Sequence, residues 1–298
     1  MAKDKYSIEI KGLKKSFGKV HALRGVNIAV KQGESFGFLG PNGAGKTTTI
    51  RCLMDFITPN EGEAKIFGTP VRGNSDVLKN RIGYLPGNVR LYANWTGREH
   101  IQFVESIRGK SETARKIAAD LELDLSKKFQ NLSSGNKQKL GLVLALMSEP
   151  DLLIMDEPTV GLDPLLQNKI YKLIDELKKK GTTIFVSSHN LPEVERICDR
   201  VGIIKDGKIV EVGDIGELSG KRIHRIEVRF GDKYRAKDFD FDGVEEIEEI
   251  PEGLILTVGG GDLNPVLKKI SGYKITDIEI THATLEEIFL KYYEGKNV

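Results

Sequence analysis

Cysteine, long apolar runs and an excess of charge of one sign are all lacking in this 298-residue chain. Its 2 cysteines, Cys52 and Cys198, have no neighbouring Cys or His at ligand spacing, which argues against a disulfide framework or a zinc-type site. Both read as small buried hydrophobes. The longest apolar stretches, such as residues 140–147, fall far short of the roughly 20 residues that a membrane-crossing helix needs. Lys and Arg total 45 against 43 Asp and Glu, so the net charge of +2 carries no general footprint for nucleic acid. The opening Met1-Ala2-Lys3-Asp4-Lys5 lacks the apolar core of a secretory signal, so a cytoplasmic address is expected. The length suits one large core plus a small second domain.

What is present begins with Gly40-Pro41-Asn42-Gly43-Ala44-Gly45-Lys46-Thr47, followed by Thr48, a complete G-x-x-x-x-G-K-[ST] phosphate-binding loop. Before it, Ser35-Phe36-Gly37-Phe38-Leu39 suits a buried strand; after it, Ile50, Leu53, Met54 and Ile57 recur at helical spacing. In such a loop the glycines let backbone N–H groups turn inward around phosphate oxygens, while Lys46 and the positive end of the helix add charge. Thr47 is then placed to hold Mg²⁺. The ligand class is therefore a nucleoside triphosphate.

Asp156 and Glu157 follow the apolar run 152–155 and emerge at the carboxyl end of a buried strand, the edge where open α/β sheets bind ligands. Beside a phosphate loop, Asp156 is expected to reach the metal through water. Glu157 is free to orient or deprotonate the attacking water, a contribution of roughly 10²- to 10⁴-fold.

Along the chain, residues 6–39 alternate apolar runs with turn signals and read as antiparallel strands. Residues 89–147 are rich in helix formers, with helix starts near Thr96 and Ser111, and read as a helical insert. Two β-prone runs, 151–155 and 182–186, flank a helix over about 165–179, which implies a parallel sheet. A change of texture at residues 218–222 divides a main domain, 1–220, from a C-terminal α+β domain, 221–298. The latter contains a Gly259-Gly260-Gly261 loop and a capping box, Thr284-Leu285-Glu286-Glu287, that opens a terminal helix. The expected fold is α/β, a phosphate-loop NTPase core of mostly parallel sheet flanked by helices. An antiparallel β subdomain, the helical insert and the small α+β domain complete it.

Leu132-Ser133-Ser134-Gly135-Asn136-Lys137-Gln138-Lys139 opens a helix just before the acidic strand. With this element, the phosphate loop and Asp156-Glu157 in that order over about residues 5–220, the chain resembles the nucleotide-binding subunits of ATP-binding cassette transporters. The resemblance implies ATP and Mg²⁺ as cofactors. It also implies a homodimer or heterodimer with ATP sandwiched between the phosphate loop of one subunit and residues 133–136 of the other. Ser133's hydroxyl and the N–H groups of Gly135 and Asn136 suit a γ-phosphate. By the same resemblance, Phe17 stacks on adenine, Asp163 lies in the loop that communicates across the dimer, and His189 is the switch histidine at the γ-phosphate.

Two departures stand against the family pattern. Where a glutamine is usual, Gly83-Tyr84-Leu85-Pro86-Gly87-Asn88 has Gly87, so either Asn88 substitutes or that contact is absent. Ser134 and Asn136 stand where glycine and glutamine are more frequent, which leaves Ser133 and the backbone amides in place.

The tail from about Arg222 looks like the extension of exporter-type subunits that pair with separate ABC-2-type permeases. That implies export through a membrane permease on another chain, with this subunit peripheral at the cytoplasmic face of the membrane. A soluble cassette acting on nucleic acid or ribosomes would carry a coiled-coil insert or a second cassette, and neither is seen. A regulatory cassette that binds without hydrolysing is disfavoured by Glu157 and His189 and left open by Gly87. A GTPase reading lacks the guanine-reading Asn-Lys-x-Asp, because Asn136-Lys137-Gln138 is followed by Lys139. The transported substrate is expected to be chosen by the membrane subunit.

Overall fold

Alternation of buried and exposed positions makes β1 (Tyr6–Phe17) and β2 (Val20–Lys31) an antiparallel pair, with Ile8 opposite Val30 and Ile10 opposite Ile28. β3 (Ser35–Leu39) is different, since all 5 of its residues are buried. It pairs in parallel with strands from later in the chain, which corrects the expectation of antiparallel strands through residue 39. The physical reason is the missing alternation: a strand buried on both faces belongs inside a covered parallel sheet.

The computed structural model describes residues 6–216, 224–259 and 262–282. These fall in two compact units, Met1–Val212 and Gly213–Val298. The expected boundary at 218–222, Gly260 and Gly261, and the capping box at Thr284 lie outside the described residues.

In the first unit, α1 (Lys46–Leu53) follows β3, and β4 (Glu61–Ile66) with β5 (Thr69–Pro70) completes an antiparallel sheet in the order β2-β1-β4-β5. α2 (Ser75–Lys79) and β6 (Ile82–Leu85) lead into the helical insert, α3 (Gly97–Arg108), α4 (Glu112–Asp120) and α5 (Ser134–Leu146). Thr96 opens α3 in a capping box, its hydroxyl accepting from Glu99 N at 3.2 Å while Glu99 Oε2 accepts from Thr96 N at 2.6 Å. Ser111 caps α4 in the ordinary way, its Oγ accepting from Ala114 N at 3.2 Å.

β7 (Leu152–Asp156), α6 (Pro164–Lys179), β8 (Thr183–Ser188), α7 (Leu191–Ile197), β9 (Arg200–Lys205) and β10 (Lys208–Asp214) complete the unit. The larger sheet runs β10-β9-β3-β8-β7-β6, with β3 parallel to β8 and β9, and β7 parallel to β6 and β8. Its register sets Leu39 beside Ser188, Asp156 beside Ser187 and Leu85 beside Met155. β3, β6, β7 and β8 therefore end together at one edge. A single core joins the two sheets, with Ile8, Ile10 and Val26 packed among Phe38, Ile154 and Phe185. Phe185 stacks with Phe36 at 5.8 Å between ring centres and tilts against Phe38 at 5.5 Å. Each such fully buried ring contributes about 1.5–3 kcal/mol. Cys52 and Cys198 are free and buried, and burial pushes the Cys52 thiol up to about 11 against a small opposing pull from Lys15. They are core fillers.

The second unit is a four-stranded antiparallel sheet, β11 (His224–Phe230), β12 (Val244–Ile250), β13 (Gly253–Val258) and β14 (Ile275–His282), in the order β12-β13-β11-β14. α8 (Asn264–Ile270) lays Val266 and Ile270 on Ile226, Val228, Leu254 and Leu256.

One contact in the first unit seats α7 on the central strand. A Cβ at Gly37 would lie 2.6 Å from Val194 Cγ1 and 3.1 Å from Cys198 Sγ, so the helix rests directly on β3 backbone. Gly37→Ala should lower stability by about 1–3 kcal/mol, as overpacking does. An unchanged thermal melting midpoint would show that α7 is not held there.

Candidate functional site

The chain leaves β3 at Gly40, whose N–H donates to Ser188 O at 3.2 Å across the sheet edge. It re-enters order at α1 through Gly45, where φ is +113° and a Cβ would lie 2.7 Å from Ala22 O. Only glycine satisfies both demands. The loop between them presents the positive end of α1. Lys46 is 5% exposed. Its Nζ donates to Gly40 O at 2.5 Å and Pro41 O at 3.1 Å, and lies 3.0 Å from Glu157 Oε1. Thr47 Oγ1 donates to Asp156 Oδ2 at 2.9 Å, and Ser187 Oγ donates to Asp156 Oδ1 at 2.5 Å.

Glu157 turns the chain off β7 with φ of +52°, a left-handed conformation that costs a non-glycine residue about 1–2 kcal/mol. Its N–H is held by Ser187 O at 3.0 Å. The side chain then reaches both ways, to Lys46 through Oε1 and to His189 Nδ1 through Oε2 at 2.7 Å. Lys46, Thr47, Asp156, Glu157 and His189 are thus brought together from the ends of β3, β7 and β8. Thr47, Asp156, Glu157 and His189 line a cleft of about 570 Å³ that Asn42, Arg51, Tyr84 and residues 86–88 also border. Burial, and after it the Asp156 carboxylate, push the Tyr84 phenol above its ordinary value.

Gly87 borders this cleft through backbone alone. A Cβ there would sit 2.9 Å from Asp156 O, so the chain passes directly against the end of β7. Asn88 is exposed in the same lining.

Other expected residues lie apart from this group. Ser133 caps α5, its Oγ accepting from Asn136 N at 3.3 Å, and Gly135 faces Leu162 and Leu166. Asp163 caps α6, its Oδ1 accepting from Leu166 N at 3.0 Å. Phe17 ends β1 with its ring 51% exposed and Lys15 Nζ 5.1 Å from the ring centre. Among the described residues no hydrogen bond or ion pair joins Phe17, Asp163 or residues 133–136 to the phosphate loop.

Several participants were not singled out from the sequence. Ser187 clasps Asp156; Gln138 Nε2 donates to Pro158 O at 3.1 Å; and Glu193, 1% exposed, accepts from Thr159 Oγ1 at 2.7 Å and Ser188 Oγ at 2.5 Å. The Ser187-Ser188 pair at a strand end was the available signal for the first. Glu193 in the first turn of a helix reads from sequence as an exposed acid on the helix dipole, which conceals its burial.

A phosphate loop and a carboxylate pair at the carboxyl edge of one parallel sheet define a nucleoside triphosphatase of the phosphate-loop class. Residues 23–160 match the family described as ABC transporter. The bacitracin transport ATP-binding protein BcrA of Bacillus licheniformis is 35% identical over 306 residues, 98% of each chain. The Nod factor export ATP-binding protein I of Paraburkholderia xenovorans is 33% identical over 96% of each. A solved structure described as an ATP binding subunit of an ABC transporter is 31% identical, with a TM-score of 0.66 over 72% of this chain and 92% of that one. The chain belongs to the ATP-binding subunits of ABC transporters, and its enzymatic class is ATPase.

Gly87 replaces the usual glutamine of that family at a point with no room for a side chain. Gly87→Gln is therefore expected to displace the loop or the end of β7 and to weaken Mg²⁺-dependent ATP binding several-fold in a calorimetric titration. Tighter binding or faster turnover would mean that the loop accepts the amide.

Proposed function

We propose that this chain hydrolyses ATP at a site shared by two subunits and thereby drives export through a separate membrane permease. The observation that carries the reading is Glu157, whose carboxylate is tied to Lys46 at 3.0 Å on one side and to His189 at 2.7 Å on the other. A γ-phosphate entering the loop takes over Lys46, which otherwise balances Glu157, and frees that carboxylate for water. The water oxygen adds to the γ-phosphorus, its proton passes to Glu157, and the bridging oxygen leaves with ADP. His189 holds Glu157 in line from the far side.

The oxygens of Thr47 and Asp156, 2.9 Å apart, form the kind of hard donor set that suits Mg²⁺, and these two residues would hold the ion. When bound, the ion supplies charge neutralisation at the β- and γ-phosphates. Phe17, exposed at the end of β1, is the proposed base platform.

Residues 133–136 and Asp163 have no bonded link to the phosphate loop of their own chain among the described residues, which supports their service to a second subunit's nucleotide. The N-terminus of α5 would complete the γ-phosphate site in trans. Among the described residues no helix is long and apolar enough to cross a membrane. In this reading the permease is a different polypeptide, met at the cytoplasmic face of the membrane. Tyr92, Phe103 and Ile107, exposed on the helical insert, support a partner surface there. Export is favoured by the full-length likeness to a subunit named for Nod factor export.

Lys46→Ala should abolish productive ATP binding, measured as loss of both nucleotide affinity and turnover, because the point charge on the phosphates is gone. Near-normal turnover would remove the site from this loop. Glu157→Gln should keep ATP affinity, lose roughly 10²- to 10⁴-fold in hydrolysis and accumulate as an ATP-bound dimer on size-exclusion chromatography. A variant that stays monomeric at saturating ATP with its partner chain supplied would overturn the shared-site arrangement.

A further inference from the structure

The turn after Glu157 and the strand end before His189 are joined by one buried side chain that takes no part in the proton transfer. Glu193 accepts Thr159 Oγ1 at 2.7 Å with one carboxyl oxygen and Ser188 Oγ at 2.5 Å with the other. Thr159 lies two residues beyond Glu157, and Ser188 immediately precedes His189. Ser188 Oγ also accepts from Asn190 N at 2.9 Å, so the same hydroxyl braces both sides of the histidine. The carboxyl is 1% exposed, and both of its hydrogen-bond partners are hydroxyls.

Burial pushes the Glu193 carboxyl above its ordinary value, the two hydroxyls draw it part of the way back, and Glu157 adds to the rise. A buried carboxyl without a cation costs stability that an apolar side chain of the same size would not. What Glu193 supplies instead is a fixed span between two segments. Beyond Glu157 the chain has left the sheet, and Gln138 and Gln167 hold the carbonyls of Pro158 and Thr159 from other helices. Glu193 adds a side-chain tie between this turn and β8. Its own helix is seated on β3 by Gly37, so the tie refers back to the strand that carries the phosphate loop.

We propose that Glu193 is a positioning residue for ATP hydrolysis: by clamping Thr159 to Ser188 it sets the separation of Glu157 from His189 and aims Glu157 at the attacking water. This rests on the reading of Glu157 as the proton acceptor. Displacement of a reacting group by about 1 Å costs on the order of 10²-fold in rate, while nucleotide binding through the phosphate loop is left largely intact.

The test is steady-state ATP hydrolysis by the full-length chain. Glu193→Ala should lower kcat by about 10- to 100-fold with KM changed less than about twofold. Glu193→Gln keeps an acceptor and a donor for the two hydroxyls and should recover most of the rate. In a Glu157→Gln background, Glu193→Ala should slow hydrolysis no further, since both changes act on one step. A kcat within about twofold of wild type for Glu193→Ala, or an equal further loss in the Glu157→Gln background, overturns the proposal. Should Glu193→Ala fail to fold, Thr159→Val and Ser188→Ala each cut one arm of the clamp and carry the same comparison. Failure of the underlying reading is distinct, because Glu157→Gln itself would then turn over ATP at the wild-type rate.

Discussion

The parallel register of β3, β6, β7 and β8 sets Leu39 beside Ser188, Ser187 beside Asp156 and Met155 beside Leu85, so the segments leaving these four strands emerge side by side. Hydrogen bonding between strands fixes that register, because a slip by one residue would send every side chain of the strand to the opposite face of the sheet, into packing shaped for its neighbour. The phosphate loop, the acidic pair, the histidine and the Gly87 turn owe their proximity to it. No long-range electrostatic steering is needed to assemble the site. Charges are delivered to one edge by backbone geometry, and their mutual attraction then adjusts side chains over the last few ångströms.

At that edge the balance of charge is local. Lys46 and Glu157 are both largely withdrawn from water, and a buried ion pair of this kind contributes little net stability, because desolvation offsets attraction. The proposed mechanism gives the pair its value through exchange of partners. In that mechanism a triphosphate would bring several negative oxygens to Lys46, and the left-handed backbone at Glu157 would keep the released carboxylate at the cleft. His189 Nδ1 meets the same carboxylate at 2.7 Å from the end of the next strand, so Glu157 has a second partner besides Lys46.

Much of this was legible in the sequence, for reasons that differ by element. The phosphate loop declared itself because glycine spacing and the lysine answer to one steric and electrostatic demand, and Gly45 shows that demand in its positive φ and its lack of room. Thr96 and Ser111 were readable as helix starts because capping is a local interaction. β3 misled because it follows directly on two alternating strands; its unbroken apolar run marks a strand buried on both faces, but its partners β8 and β9 lie far along the chain. Glu193, Ser187 and Gln138 were hidden for the same reason: each is an ordinary polar residue whose meaning comes from a partner 20 to 34 residues distant. The choice between Asn88 and no contact in place of the usual glutamine was likewise beyond sequence, and the backbone approach of Gly87 to Asp156 O is what recasts it.

Phe17, the proposed base platform, presents a half-exposed ring backed by Lys15 at the very end of its strand. Stacking reads the flat face of a base, and every base has one; discrimination among bases comes from hydrogen bonds to their edges. A platform of this kind gives grip without identity. A subunit that held its base by stacking alone would accept other purine triphosphates nearly as well as ATP, and its apparent nucleotide specificity would be set by which triphosphate is most abundant around it.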